Sequence, residues 1–390
     1  MIKTLEGVKV VDLTAQKDAG SAYSKLLAEY GAEVILVEAA KAADVRASHE
    51  LDFYHGGKKS LAVDLDQEAG RQALHLLLKT ADVFVTSLSE MKQKEWGLSY
   101  PILAALNPRI IYAHGSIYGE EGHLKDEPAD ASAVWWASSG HMWGTMELGD
   151  LPPILNSGLP EVNVGKSLVL GICAALFRRA KTGKGMYLSA SVLGEAIYDN
   201  ADTPLEVQYG VEYPKTRKRP RRATLNTYRC KDGWIALITL SFEKDFGNLM
   251  EAIGRPDLRG DPRWQCLEDT MYDQSVELVK IMDEALEKLT CDEAVSRIKA
   301  FDMAVIKIAT VSDVLSDPQI RANQFLYACE GSDGKTIFLP QGPVRFGDYQ
   351  PAAYQKAPRQ GQHTREILQG IGYAKEQVDA LAAAGTVLAE

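Results

Sequence analysis

At 390 residues the chain has room for two or three domains, at roughly 100 to 200 residues each. Hydrophobic residues make up 46% and charged residues 25%, the proportions of an ordinary globular protein, which excludes a fibrous repeat or a disordered chain. The net charge of −10 argues against general affinity for nucleic acid or an anionic membrane, so a polyanionic ligand must be met by local basic groups.

Residues 8–14 form a strand pattern, 22–30 carry apolar residues at helical spacing, and 33–38 form a second strand, a βαβ opening. After Tyr54-His-Gly-Gly-Lys-Lys-Ser60 a further strand runs over 61–64. A helix over 67–80, a strand at 83–87, a short helix near 101–106 and a strand at 109–114 continue the alternation. Such alternation implies an α/β fold with a parallel sheet covered on both faces. Ligands gather at the carboxyl ends of parallel strands, so loops 14–20, 38–46, 87–96 and 115–122 are expected to form a rim. An apolar helix over about 164–179 ends in Arg178-Arg179 and Gly183, basic residues and a glycine stop at the negative helix end. A strand and helix follow around 186–200. The basic run Lys215-Thr-Arg-Lys-Arg-Pro-Arg-Arg222 marks a change of composition, read either as a solvated linker face or as a basic lip for phosphates or a carboxylate. Residues 225–233 read as a turn between strands, with Asp232-Gly233 as the hairpin signal and 234–239 as the returning strand, and helical patterns fill 244–300. Strand-like pieces at 335–339 and 344–346 and a helix at 364–368 close the chain. The expected division is a large domain over 1–205, a linker over 206–224, a small α+β domain over 225–325, and a return to the large domain over 326–390.

Several chemistries lack their motifs. No G-x-G-x-x-G follows the first strand, no G-x-S-x-G elbow occurs, and the seven histidines show no metal-ligand spacing. The five scattered cysteines contain no C-x-x-C pair, and residues 1–7 lack the pattern of an export signal, which sets the expectation of a reducing cytoplasm. The longest apolar stretch, 167–177, is about half the roughly 20 residues of a membrane span and reads as a buried helix.

Three places offer chemistry. The 54–60 segment combines two glycines with Lys58 and Lys59; with Lys17 and Arg46 it is either a phosphate cradle or a lysine-bearing turn. The run from Trp135 and Trp136 through Gly140 to Trp143 is either core or the wall of an apolar pocket. Glu161 lies in Gly158-Leu-Pro-Glu-Val-Asn-Val-Gly165, a Pro/Gly-rich turn at the mouth of the apolar helix. Near the positive helix end its carboxylate is favoured, either as a charge that starts the helix or as a nucleophile.

The opening 5–14, Ala19-Gly20, 26–38, Arg46, and above all Gly171-Ile-Cys-Ala-Ala-Leu-Phe-Arg-Arg-Ala-Lys-Thr-Gly-Lys-Gly185 resemble the family III CoA-transferases, the group of formyl-CoA:oxalate and carnitine CoA-transferases. The resemblance covers nearly the whole chain. Residues 217–229 look most like the enzymes acting on 2-hydroxyacyl and aryl-acyl CoA. The resemblance implies a Rossmann-like large domain built from both chain ends, a smaller domain, and a homodimer of interlocked rings. It implies coenzyme A or acyl-CoA and a carboxylic acid as substrates, with no metal. By position, Lys17, Asp18, Ala19, Arg46, Lys58, Ser87, Leu88 and Trp96 would line the CoA site. The family's catalytic aspartate, four residues before the glycine of the helix, falls on Glu161, one methylene longer. The implied reaction is CoA transfer through an enzyme-bound anhydride and a glutamyl-CoA thioester. Two other readings stand beside it: an α-methylacyl-CoA racemase, whose histidine is replaced here by Ala129 before Asp130, and a catalytically silent CoA-binding homologue.

Overall fold

The computed structural model describes residues 3–14, 19–41, 53–153, 158–239, 241–330, 334–347 and 356–389, residues 19–21 as backbone alone. Lys17, Asp18, Arg46 and the side chain of Ala19 lie outside the described residues. The chain divides into two compact units: Met1–His141, Ile154–Ala201 and Pro318–Glu390 form the first, Met142–Pro153 and Asp202–Asp317 the second.

The first unit is built on a seven-stranded sheet. Strands β1 (Lys9–Leu13), β2 (Glu33–Glu38), β3 (Lys59–Val63), β4 (Val83–Thr86), β5 (Ile111–Ser116) and β6 (Met186–Ser191) run parallel in the order β3-β2-β1-β4-β5-β6, and Val387–Leu388 adds an antiparallel edge beside β3. The central strands are short continuous apolar runs because both faces are covered: Val10, Val34, Val83 and Ile111 pack into one core, Val11, Ile35, Phe84 and Tyr112 into another. Helices α1 (Lys25–Glu29), α2 (Glu68–Leu78), α3 (Glu90–Glu95) and α4 (Tyr100–Leu106) make or flank the crossovers, with α5 (Leu159–Thr182) and α6 (Val192–Asp199) after β5 and β6. Helix α5 is long and apolar enough to cross a bilayer. Val164, Leu168, Ile172 and Ala175, at spacings of four and three, give it one buried face against the sheet.

Strand order reverses between β1 and β4, the point in doubly wound sheets where a crevice opens outside the strand ends. The return from the second unit is a hairpin of Leu326–Glu330 with Thr336–Pro340, so the expected strand at 344–346 is replaced by one that precedes 336–340. Because β3 pairs in parallel with β2, residues 54–60 lead into a crossover strand and not around a hairpin.

The second unit holds the antiparallel sheet β7 (Leu225–Cys230), β8 (Gly233–Ile238) and β9 (Val305–Lys307), covered by helices that bury Phe246, Leu249, Leu278 and Met282 against Tyr228 and Ile235. Its limits differ from the sequence-based domain boundaries. The expected linker folds with this unit because its charges are used there: Lys215 pairs with Glu206 at 2.6 Å, Arg217 with Asp283 and Arg219 with Asp273, each at 2.5 Å. Residues 142–153 join it through Glu147, whose carboxylate accepts from Thr216 Oγ1 and from the Arg217 N–H.

In the first unit a buried carboxylate ties three segments together. Asp12 of β1 accepts from Thr14 Oγ1 (2.9 Å), from Ser24 Oγ at the end of the 3₁₀ segment Ala19–Ser24, and from Lys58 Nζ (3.2 Å) just before β3; the Asp12 and Lys58 side chains are both 0% exposed. Burial pushes the Lys58 ammonium below its ordinary range, and Asp12 opposes that shift. Lys59 instead reaches the surface carboxylates Glu33 and Glu366, both at 2.7 Å. Each lysine is therefore paired with carboxylates of the chain, Lys58 in the interior and Lys59 at the surface. Removing one member of a buried pair strands the other charge. Lys58→Ala should cost about 3 to 5 kcal/mol of the unit's stability and Lys59→Ala less than about 1 kcal/mol, measured by urea unfolding. Equal losses would contradict the burial of Asp12.

Candidate active site

Helix α5 begins five residues before the apolar run that announces it, because Gly158 serves as N-cap with φ of 84° and Pro160 occupies the first turn. A left-handed cap favours glycine, and proline early in a helix forfeits only an N–H that has no intrahelical partner. Glu161 is thus the third helical residue rather than part of a preceding turn, and it is 7% exposed. The unsatisfied N–H groups of the first turn and the helix dipole both favour its anionic form. The Tyr54 hydroxyl stands beside the cap, 3.1 Å from where a Gly158 Cβ would lie.

One turn further on, Gly165 lies against the 3₁₀ segment that follows β1. A Cβ there would sit 2.7 Å from the Ala22 carbonyl oxygen and 3.4 Å from Tyr23 Cα. Only hydrogen at this position lets α5 settle so close. The segment is itself held by Ser24 to Asp12, so the first turn of α5 is referenced to the carboxyl end of β1, at the crevice.

The other side of the crevice is the end of β4. Ser87 and Leu88, expected at the CoA site, follow it directly and are half-buried. The Leu88 N–H bonds Thr86 Oγ1 at 3.2 Å. Trp96, at the end of α3, has Lys92 Nζ 4.8 Å from its ring centroid.

The tryptophan cluster divides. Trp135 is 1% exposed and packs in the core with Tyr23, Val164 and Leu168, one turn along α5 from Glu161; it is core, not an open pocket wall. Trp136 is half-buried, and His141 is stacked on Trp135 (centroids 5.5 Å) and set edge-on to Trp136 (5.9 Å), with Ser139 Oγ 3.1 Å from its Nδ1. Burial lowers the affinity of His141 for a proton, against the pull of Asp199. Gly140 turns the chain with φ of 85°. Trp143 belongs to the second unit, is 56% exposed, and donates its indole N–H to the Tyr213 carbonyl at 3.0 Å. The four residues expected to share one pocket are therefore split between two units.

Among the described residues no cluster of His, Cys, Asp or Glu could hold a metal ion. Sequence reasoning missed the histidine between indoles, the Asp12 network, and a polar set around His114; the last two have no local motif, since each joins residues far apart in the chain.

The sequence model of CoA-transferase family III matches residues 5–364. The chain belongs to that family. It is 33% identical to the (R)-2-hydroxy-4-methylpentanoate CoA-transferase of Clostridioides difficile, covering 96% of this chain and 97% of that one. It is 28% identical to the cinnamoyl-CoA:phenyllactate CoA-transferase of Clostridium sporogenes, covering 96% and 95%. A CAIB/BAIF family protein from Brucella suis shares the fold, with a TM-score of 0.81 at 24% identity over 95% of this chain and all of that one. The enzyme is a CoA-transferase, and the names of the Clostridioides and Clostridium relatives are consistent with the hydroxyacyl and aryl-acyl subgroup that the 217–229 segment resembles.

The contact at Gly165 yields a prediction. Gly165→Ala should force α5 away from the 19–24 segment, and a shift of about 1 Å at Glu161 should lower kcat about 100-fold with unchanged circular dichroism. Wild-type kcat would show that this contact does not set the carboxylate's position.

Proposed function

We propose that the enzyme moves CoA from an acyl-CoA donor to a carboxylic acid acceptor, with Glu161 as the nucleophile. A Glu161 oxygen attacks the thioester carbonyl; the C–S bond breaks, CoA leaves as thiolate, and the acyl group remains on the enzyme as a mixed anhydride. The thiolate then attacks the glutamyl carbonyl, releasing the donor's carboxylate and leaving a glutamyl-CoA thioester. The acceptor carboxylate attacks that thioester, forming a second anhydride and freeing thiolate, which takes the new acyl group and restores Glu161. The carboxylate attacks replace an acyl–sulfur bond with an acyl–oxygen bond and the thiolate attacks do the reverse, so no redox partner or net proton is required.

The observation that carries the reading is the near-complete burial of Glu161 within the first turn of α5. Withdrawal from water makes a carboxylate a better nucleophile, while the helix terminus supplies the charge stabilisation that water would have given. The racemase reading requires a proton-transfer group near Asp130, but Asp130 accepts from the Ala133 N–H at 2.8 Å as the cap of a short helix, and Ala129 precedes it. The silent-homologue reading has no specific observation in its favour.

The acyl group in this proposal is a branched or aromatic 2-hydroxyacyl or aryl-acyl unit, in keeping with the hydroxymethylpentanoate and phenyllactate of the two relatives. The enzyme is also proposed to act in the cytoplasm as a homodimer of interlocked chains. Leu170 and Phe177 on α5 and Tyr198 on α6 are 73%, 66% and 81% exposed, large apolar surface that a second copy would cover.

An exchange assay across acids, with acetyl-, succinyl- and aryl-acyl-CoA donors, tests the activity. Branched or aromatic 2-hydroxy acids should be preferred, Glu161→Gln should lower exchange by roughly 10⁴-fold or more, and Glu161→Asp by about 100-fold because the site is fitted to the longer side chain. An active Glu161→Gln enzyme would remove the residue from the chemistry, and a gain of activity in Glu161→Asp would support the silent homologue. Light scattering should give a mass about twice the 42.8 kDa of one chain; a monomer with full activity would contradict the proposed dimer.

A further inference from the structure

The mechanism leaves unused a set of polar side chains at the carboxyl ends of β4, β5 and β6. His114 stands on β5 opposite Thr86 of β4 and Ser189 of β6, and it is buried. Its Nε2 bonds the Leu88 carbonyl at 3.0 Å, and its Nδ1 faces Glu120 Oε1 at 2.6 Å. Glu120, from the loop after β5, also accepts from the Tyr187 hydroxyl and from Ser189 Oγ at 3.3 Å. Burial acts to raise the affinity of Glu120 for a proton, but the hydrogen bonds from Tyr187 and His114 outweigh it and hold the carboxyl below its ordinary range.

The Leu88 carbonyl has a second donor. Gln93 Nε2 reaches it at 2.7 Å, while Gln93 Oε1 accepts from the Tyr112 hydroxyl at 3.0 Å. With its N–H on Thr86 Oγ1, Leu88 is held at both ends of its backbone, two residues past β4. A carbonyl in a rim loop could be satisfied by water. Here His114 of β5 and Gln93 of α3 both reach it, and the partly exposed Glu120, held from β6 by Tyr187 and Ser189, braces the far side of the buried imidazole. The contacts made by the Glu120 carboxylate are charge-assisted, and so stronger and more directional than neutral ones.

We propose that His114 is a positioning residue for CoA: braced by Glu120, it sets the orientation of the Leu88 peptide and so of the Ser87–Leu88 edge of the crevice between β1 and β4, against which CoA binds. This rests on the CoA-transferase reading of that crevice. Neither His114 nor Glu120 takes part in the acyl chemistry, so the effect belongs to binding and not to turnover.

The test compares His114→Phe and His114→Gln with the unaltered enzyme, using calorimetry with CoA and steady-state exchange. Phenylalanine keeps a ring in the buried strand and removes both ring nitrogens; glutamine retains an N–H able to reach the Leu88 carbonyl. His114→Phe should weaken CoA binding and raise the KM for acyl-CoA about tenfold, the worth of one well-placed hydrogen bond, with kcat within about twofold and the acid's KM unchanged. His114→Gln should return to within about threefold of the unaltered enzyme. Should the phenylalanine variant not fold, Gln93→Leu removes the other donor to the same carbonyl from α3, a helix without buried residues, and should raise the KM for acyl-CoA about threefold. Unchanged CoA affinity in whichever of His114→Phe and Gln93→Leu folds, or a loss confined to kcat, would overturn the proposal. An unaltered enzyme that binds no CoA would overturn the reading of the crevice, and this proposal with it.

Discussion

The approach of α5 to the segment after β1, where Gly165 meets the Ala22 carbonyl, is the constraint on which the rest of the site depends. A helix packed at ordinary distance would hold its first turn farther from the sheet, and Glu161 with it. The missing side chain at Gly165 lets backbone meet backbone, and a backbone contact is stiff because neither partner has a rotamer to change. The position of Glu161 is therefore fixed along a short chain of rigid parts: β1, the 3₁₀ segment, and the first turn of α5.

The Asp12 carboxylate secures the sheet end of that chain. It gathers Thr14 and Ser24 from the β1 side and Lys58 from the approach to β3, so the carboxyl end of β1, the 3₁₀ segment and the entry to β3 share a single buried anchor. A buried ion pair gives little net stability over an apolar equivalent, but it penalises every arrangement in which the partners separate. On the other side, Glu120, His114 and Gln93 do a comparable job for the end of β4. An acidic protein thus keeps charge in the layer beneath the crevice, where it orders backbone, while the proposed nucleophile sits in the first turn of a helix, whose terminus favours its charge.

Much of the fold was legible in the sequence because parallel strands buried on both faces write themselves as short apolar runs separated by helical spacing, as at 33–38 and 83–87. The glycine stop at Gly183, and the family resemblance counted back from Gly165, framed α5 and pointed to Glu161, whereas the close contact made by Gly165 had no sign in the sequence. What was hidden is non-local. Nothing in the neighbourhood of His114 announces that Glu120 will fold back to it or that Leu88, 26 residues earlier, will present a carbonyl. Lys58 and Lys59 are adjacent and alike in sequence, yet the alternation of a strand sends one to the buried Asp12 and the other to surface carboxylates. The three indoles look like one cluster in the chain, but the boundary after His141 assigns Trp143 to the second unit. Lys17, Asp18 and Arg46, expected at the CoA site from the family resemblance, lie outside the described residues.

Chemically, the account turns on a carboxylate one methylene longer than the family's aspartate performing the same exchange from the first turn of the same helix. The most direct measurement is peptide mass spectrometry of the enzyme mixed with acyl-CoA and quenched within a turnover, with borohydride reduction of the thioester as a second label. The account predicts a CoA adduct, and after reduction the corresponding alcohol, on the peptide carrying Glu161 and on no other. An adduct on a different carboxylate, or exchange that proceeds with no covalent species, would contradict it.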